Sequence, residues 1–78
     1  MDAVDVTARF DSRGRAMPSS FKWYGVDYFV DSIGRRWVEE DGQHILVMVP
    51  GGRVFELLYK PVEGEWYLIP VGGFRSPS

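Results

Sequence analysis

The chain has 78 residues, no cysteine and a net charge of −2. That length makes a single domain, the missing thiols exclude disulfides and thiolate metal sites, and the charge argues against a dedicated nucleic-acid binder, which carries a surplus of Lys and Arg. A domain this small buries only about 60–65% of its unfolded surface, so three Trp, four Tyr and five Phe take over the role that a staple plays in other small folds.

Val4 to Asp11 alternate apolar and polar without a break, which predicts a first strand over Val4–Phe10 with Val4, Val6, Ala8 and Phe10 on its dry face. Residues 11–20 are rich in turn formers and lack periodicity, which predicts a long loop. Phe21–Tyr24 reads as a second strand and Gly25-Val26-Asp27 as the turn after it. Tyr28–Ile33 reads as a third strand. Beyond Gly34, a residue suited to a break or bulge, Arg35–Glu40 extends it into a long bent ribbon, with a short helical turn over 34–40 as the alternative. Asp41-Gly42 is a type I′ hairpin signal. A fourth strand, His44–Val49, is apolar on both faces, Pro50-Gly51-Gly52 turns the chain, and Val54–Tyr59 forms a fifth strand. Pro61–Gly64 makes another turn and Glu65–Ile69 a sixth strand. Residues 72–78 lack a hydrophobic pattern and read as a flexible tail behind a domain spanning 1–71.

Turns close to residues 25, 41, 51 and 63 have the cadence of a meander. The expected architecture is all-β: a small antiparallel barrel of five to six strands, SH3-like, with few exposed edges. An OB-like barrel fits less well because no helix is evident between the middle strands. No basic-plus-apolar leader is present, and no apolar run approaches the roughly 20 residues that span a bilayer, so the expected location is cytoplasmic.

Phe21-x-Trp23-x-Gly25-x-x-Tyr28-x-Val30, then Trp37, the Gly52 to Leu57 segment and Trp66-Tyr67-Leu68, resemble a group of short uncharacterised bacterial proteins with an F-x-W-x-G-x-x-Y-x-V core. The resemblance covers roughly residues 4–69. In some relatives the gene sits close to translesion-polymerase genes, so the resemblance implies an accessory role in DNA repair. It brings no catalytic or binding residues with it.

Chemistry-bearing constellations are sparse. The single histidine, His44, has Asp41 three residues away, which falls short of a metal-ligand set, and it reads as a strand-edge residue facing water. Glu39-Glu40-Asp41 reads as a solvated hairpin end rather than an acid/base pair. No nucleophile motif or phosphate-binding loop is present, so neither an enzyme nor a cofactor is expected.

Two surfaces remain. Arg13, Arg15, Lys22, Arg35 and Arg36, beside Trp37, interleave cations with aromatics as single-strand binders do. Residues 1–36 carry six basic and five acidic side chains against three and six in 37–78, a mild polarity that ordinary solvated faces also show. Trp23, Tyr28 and Trp37 are nevertheless expected inside so small a barrel. Tyr24, Tyr59 and Tyr67, with Trp37, offer a candidate aromatic groove for an extended peptide, Tyr59 and Tyr67 lying side by side across a hairpin. The leading expectation is therefore a non-catalytic adaptor that binds a protein partner, with nucleic-acid binding as the alternative.

Overall fold

The computed structural model describes residues 2–69; the expected domain boundary at 71 and the tail over 72–78 lie outside them. The described residues are all-β, with seven strands: β1 (Asp2–Phe10), β2 (Ala16–Trp23), β3 (Val26–Phe29), β4 (Ser32–Glu39), β5 (Gly42–Met48), β6 (Val54–Lys60) and β7 (Glu65–Ile69). They hydrogen-bond in the order β3-β2-β1-β7-β6-β5-β4, every pair antiparallel, in one sheet that curls into a half-barrel. No helix among the described residues is long and apolar enough to cross a membrane.

β1 joins the two parts of the sheet. Asp2–Val4 pair with β7, whereas Asp5–Phe10 pair with β2. The alternation of β1 is real, with Val4, Val6 and Ala8 packed against the core, but Phe10 stays half-exposed and rests on the Tyr59 ring at 5.1 Å. The predicted loop over 11–20 is shorter than expected. β2 begins at Ala16, and a tight turn over 11–15 is held by the Asp11 carboxylate, which accepts from the backbone N–H of Arg13 and Arg15 and from the Arg15 guanidinium. An Asp that recruits its own downstream amides is a strong turn former.

The extra strand comes from a crossing. The predicted third strand divides at residues 30–31, where the Val30 N–H bonds to the Ser19 carbonyl and the Asp31 N–H to the Met48 carbonyl. The chain thereby passes from the flank of β2 to the flank of β5, and the two ends of the sheet order are neighbours in sequence. The ribbon expected to run on from Tyr28 is therefore broken; only its second half persists as β4, which is a strand rather than a helical turn and whose register slips between Ile33 and Arg36, around Gly34.

Two turns differ from expectation. Positive φ at both central residues, the mark of a type I′ hairpin, occurs at Tyr24 (52°) and Gly25 (76°) between β2 and β3. The β4–β5 hairpin turns on Glu40 and Asp41 without a positive φ at either, and Gly42 opens β5 at 145°. Inside the curl, Phe21, Ile45, Val47, Phe55, Leu57, Trp66 and Leu68 form the core. The rings of Phe21, Trp23, Tyr28 and Phe55 pack with centroids 5.1–6.2 Å apart, the offset and edge-on spacing that aromatic pairs prefer.

Candidate functional site

At one end of the half-barrel, the 11–15 turn, the β4–β5 hairpin and the β6–β7 turn surround a groove of about 600 Å³. Its wall at β2 is built without a backbone ladder. The buried Ala16 has its N–H bonded to Gln43 Oε1 at 3.0 Å and its carbonyl to Arg36 Nη1 at 3.0 Å, while the other end of the Gln43 amide donates to the Gly14 carbonyl at 2.9 Å. Two side chains from β4 and β5 thus satisfy the backbone groups of a β2 residue whose edge away from β1 is covered by no strand among the described residues.

His44 is the residue that sequence reasoning placed wrongly. It is 5% exposed, not a water-facing edge residue. The register places it on the outer face of the sheet between Trp37 and Leu58, and the Trp37 ring stacks on the imidazole at 5.2 Å and 10°. Nδ1 meets Glu56 Oε2 at 2.7 Å; Nε2 meets Asp41 Oδ1 at 2.8 Å and Glu39 Oε1 at 3.5 Å. Burial opposes charging of the ring, but hydrogen bonds and charge from Asp41 and Glu56 outweigh it, and the His44 pKa is raised above its ordinary 6.5. The bond from His44 in turn holds the Asp41 carboxyl below its usual 3.8. Nothing in the local sequence points to Glu56, which the β5–β6 register delivers from twelve positions along the chain.

The anticipated basic set comes together only in part. Arg13, Arg15 and Arg36 line the groove with Trp37 and Lys60, but so do Glu39, Glu40, Asp41 and Glu63. Arg15 is already paired with Asp11 at 2.7 Å, and Arg36 is bonded to Ala16. Arg35 lies over the Trp37 ring at 5.6 Å. Lys22 is absent from the groove lining; it sits 4.0 Å from Asp27 beside a separate depression along β1. Trp37 was expected in the core and is instead on the outer face, because the slip at Gly34 inverts which residues of β4 point inward.

The anticipated tyrosine groove does not form. Tyr59 pairs with Trp66 and packs toward the core, at 4.9 Å from that ring. Tyr67 pairs with Leu58 on the outer face, under the Lys60 ammonium at 4.9 Å. Adjacent positions in adjacent strands alternate faces, so the two rings lie on opposite sides of one sheet. Tyr24 is 81% exposed in the β2–β3 turn, apart from both. Compared with family models, curated proteins and solved structures, the chain matches none.

Proposed function

We propose that this chain is a non-catalytic binding module that takes a protein segment in the groove at the end of its half-barrel. The observation that carries this reading is the composition of the groove rim. Four cations (Arg13, Arg15, Arg36, Lys60) face four carboxylates (Glu39, Glu40, Asp41, Glu63), so the formal charge of the lining sums to zero when His44 is neutral. Among them stand Val38 at 77% and Val62 at 99% exposure. A groove of balanced charge with bare apolar points suits the mixed surface of a polypeptide, whereas a phosphate backbone needs an excess of cations. Both ring nitrogens of His44 already face carboxylates, Glu56 at Nδ1 and Asp41 at Nε2, so neither is left unpartnered as a candidate base.

The alternative of a nucleic-acid accessory, linked to DNA repair by the sequence resemblance, draws on Arg13, Arg15 and Arg36 at the same rim. One experiment separates them. Peptides selected by phage display on the immobilised protein are titrated into labelled protein and followed by amide NMR shifts, with single-stranded oligonucleotides as a parallel arm. The expected result is peptide-induced shifts at Val38, Lys60 and Val62, abolished by the double change Val38→Glu and Val62→Glu. Selection of no peptide, or shifts confined to other surfaces, overturns the groove. Salt-sensitive binding of oligonucleotides alone transfers the assignment to the alternative.

A further inference from the structure

We propose that Glu39, Asp41 and His44 form a binding site for a divalent cation of the zinc class, opening into the groove. The hairpin assembles three donors from a six-residue span: Glu39 pairs with Gly42 across the ladder, Asp41 stands in the turn, and His44 follows on β5. One ligand atom from each lies within 4.8 Å of the other two. His44 Nε2 is 2.8 Å from the Asp41 carboxylate and 3.5 Å from that of Glu39. Metal–ligand bonds of about 2.0–2.2 Å in a tetrahedron place neighbouring donors about 3.3–3.6 Å apart, so only small side-chain movements are required.

A second feature lies on the opposite side of the ring. Glu56, only 17% exposed, meets Nδ1 at 2.7 Å. A carboxylate that accepts from Nδ1–H holds the proton at that nitrogen, so that Nε2 is the one that gives up its proton and offers its lone pair to a metal, the support that metal-binding histidines almost always have. The ring itself is immobilised, 6% exposed and stacked on Trp37. The Glu39 and Asp41 side chains are 59% and 43% exposed and free to swing onto an ion. The donor set selects the metal. One imidazole with two carboxylates suits zinc and its neighbours, whereas calcium asks for six to eight oxygens and magnesium for an octahedron of them. The ion takes the place of the Nε2 proton, which is released to solvent, and two acidic ligands balance its charge.

The test uses untagged, chelator-treated protein titrated with Zn2+ alone, by calorimetry and by the imidazole 15N shifts, which are unambiguous because the chain has one histidine. The expected result is one-to-one binding, micromolar or tighter, with the metal-induced shift at Nε2 and the proton retained on Nδ1. Asp41→Asn and Glu39→Gln each weaken binding by at least about tenfold, and Glu56→Gln weakens it by roughly 10–100-fold. Glu39→Gln is the decisive variant, since an exposed side chain at a hairpin end leaves folding intact. No binding at about 1 mM Zn2+, coordination through Nδ1, or unchanged affinity in Glu39→Gln or Asp41→Asn overturns the site.

Discussion

Gly42 shows how one residue can fix a hairpin. Its φ of 145° lies in the region that side chains avoid, and a Cβ built there would overlap the Tyr59 carbonyl oxygen and sit 3.2 Å from Leu58 Cδ1. Gly51 has a comparable φ of 99°, yet a Cβ there meets nothing within 4 Å. Gly51→Ala therefore carries only the conformational penalty, while Gly42→Ala adds a backbone collision. The expected loss for Gly42→Ala is at least about 2 kcal/mol, read as a melting temperature lower by roughly 8–16 °C, with Gly51→Ala clearly milder. Equal losses in the two variants would remove the collision from the explanation.

Tyr67 carries a residue-scale pH effect. Its hydroxyl donates to the Glu63 and Glu65 carboxylates at 3.0 and 3.1 Å, and these bonds, Glu63 first, push its pKa up to about 12. The folded pKa is raised above the ordinary 10.0 of a tyrosine, so the contribution of these bonds to stability is fully present below that pH and is lost as pH rises from there through about 12. Spectrophotometric titration of the tyrosines should show one late ionisation that Tyr67→Phe abolishes. A late ionisation that persists in that variant refutes the assignment.

At the scale of elements, the contact between β2 and the β4–β5 pair is made by side chains standing in for a strand. Arg36 and Gln43 each hold one backbone group of Ala16, which is 0% exposed. Removing either leaves a buried donor or acceptor unsatisfied, at about 1–3 kcal/mol. Arg36→Ala and Gln43→Ala should each destabilise by that order in urea melts. The double variant should lose less than the sum, because once one bond is gone Ala16 can move toward water and relieve the other. Arg13→Ala, at an exposed position on the same rim, should stay within about 0.5 kcal/mol of the parent. Strict additivity would mean that the two bonds do not share a common seam.

At the scale of the whole molecule, the parts legible in the sequence are those governed by local chemistry. The alternation of β1, the Pro50-Gly51-Gly52 turn and the turn ending at Gly64 all follow from residues adjacent in the chain. The illegible parts depend on register. Ile33 and Arg36 face Val47 and Ile45, so three steps on β4 match two on β5. That slip puts Trp37 outside and Arg36 against Ala16, and no composition rule announces it. The His44 cluster is hidden for the same reason: Asp41 was visible three residues away, but Glu56 arrives by strand pairing and Glu39 by the hairpin's return. The two tyrosines expected side by side are separated by a single step of pleat.

The first strand has a further implication. Its opening residues belong to the meander and its closing residues to the β2–β3 hairpin, so one unbroken rod of backbone is woven into both lobes. If either lobe melts, the part of that rod it held is left without a partner, so the loss of one lobe weakens the other and couples their unfolding.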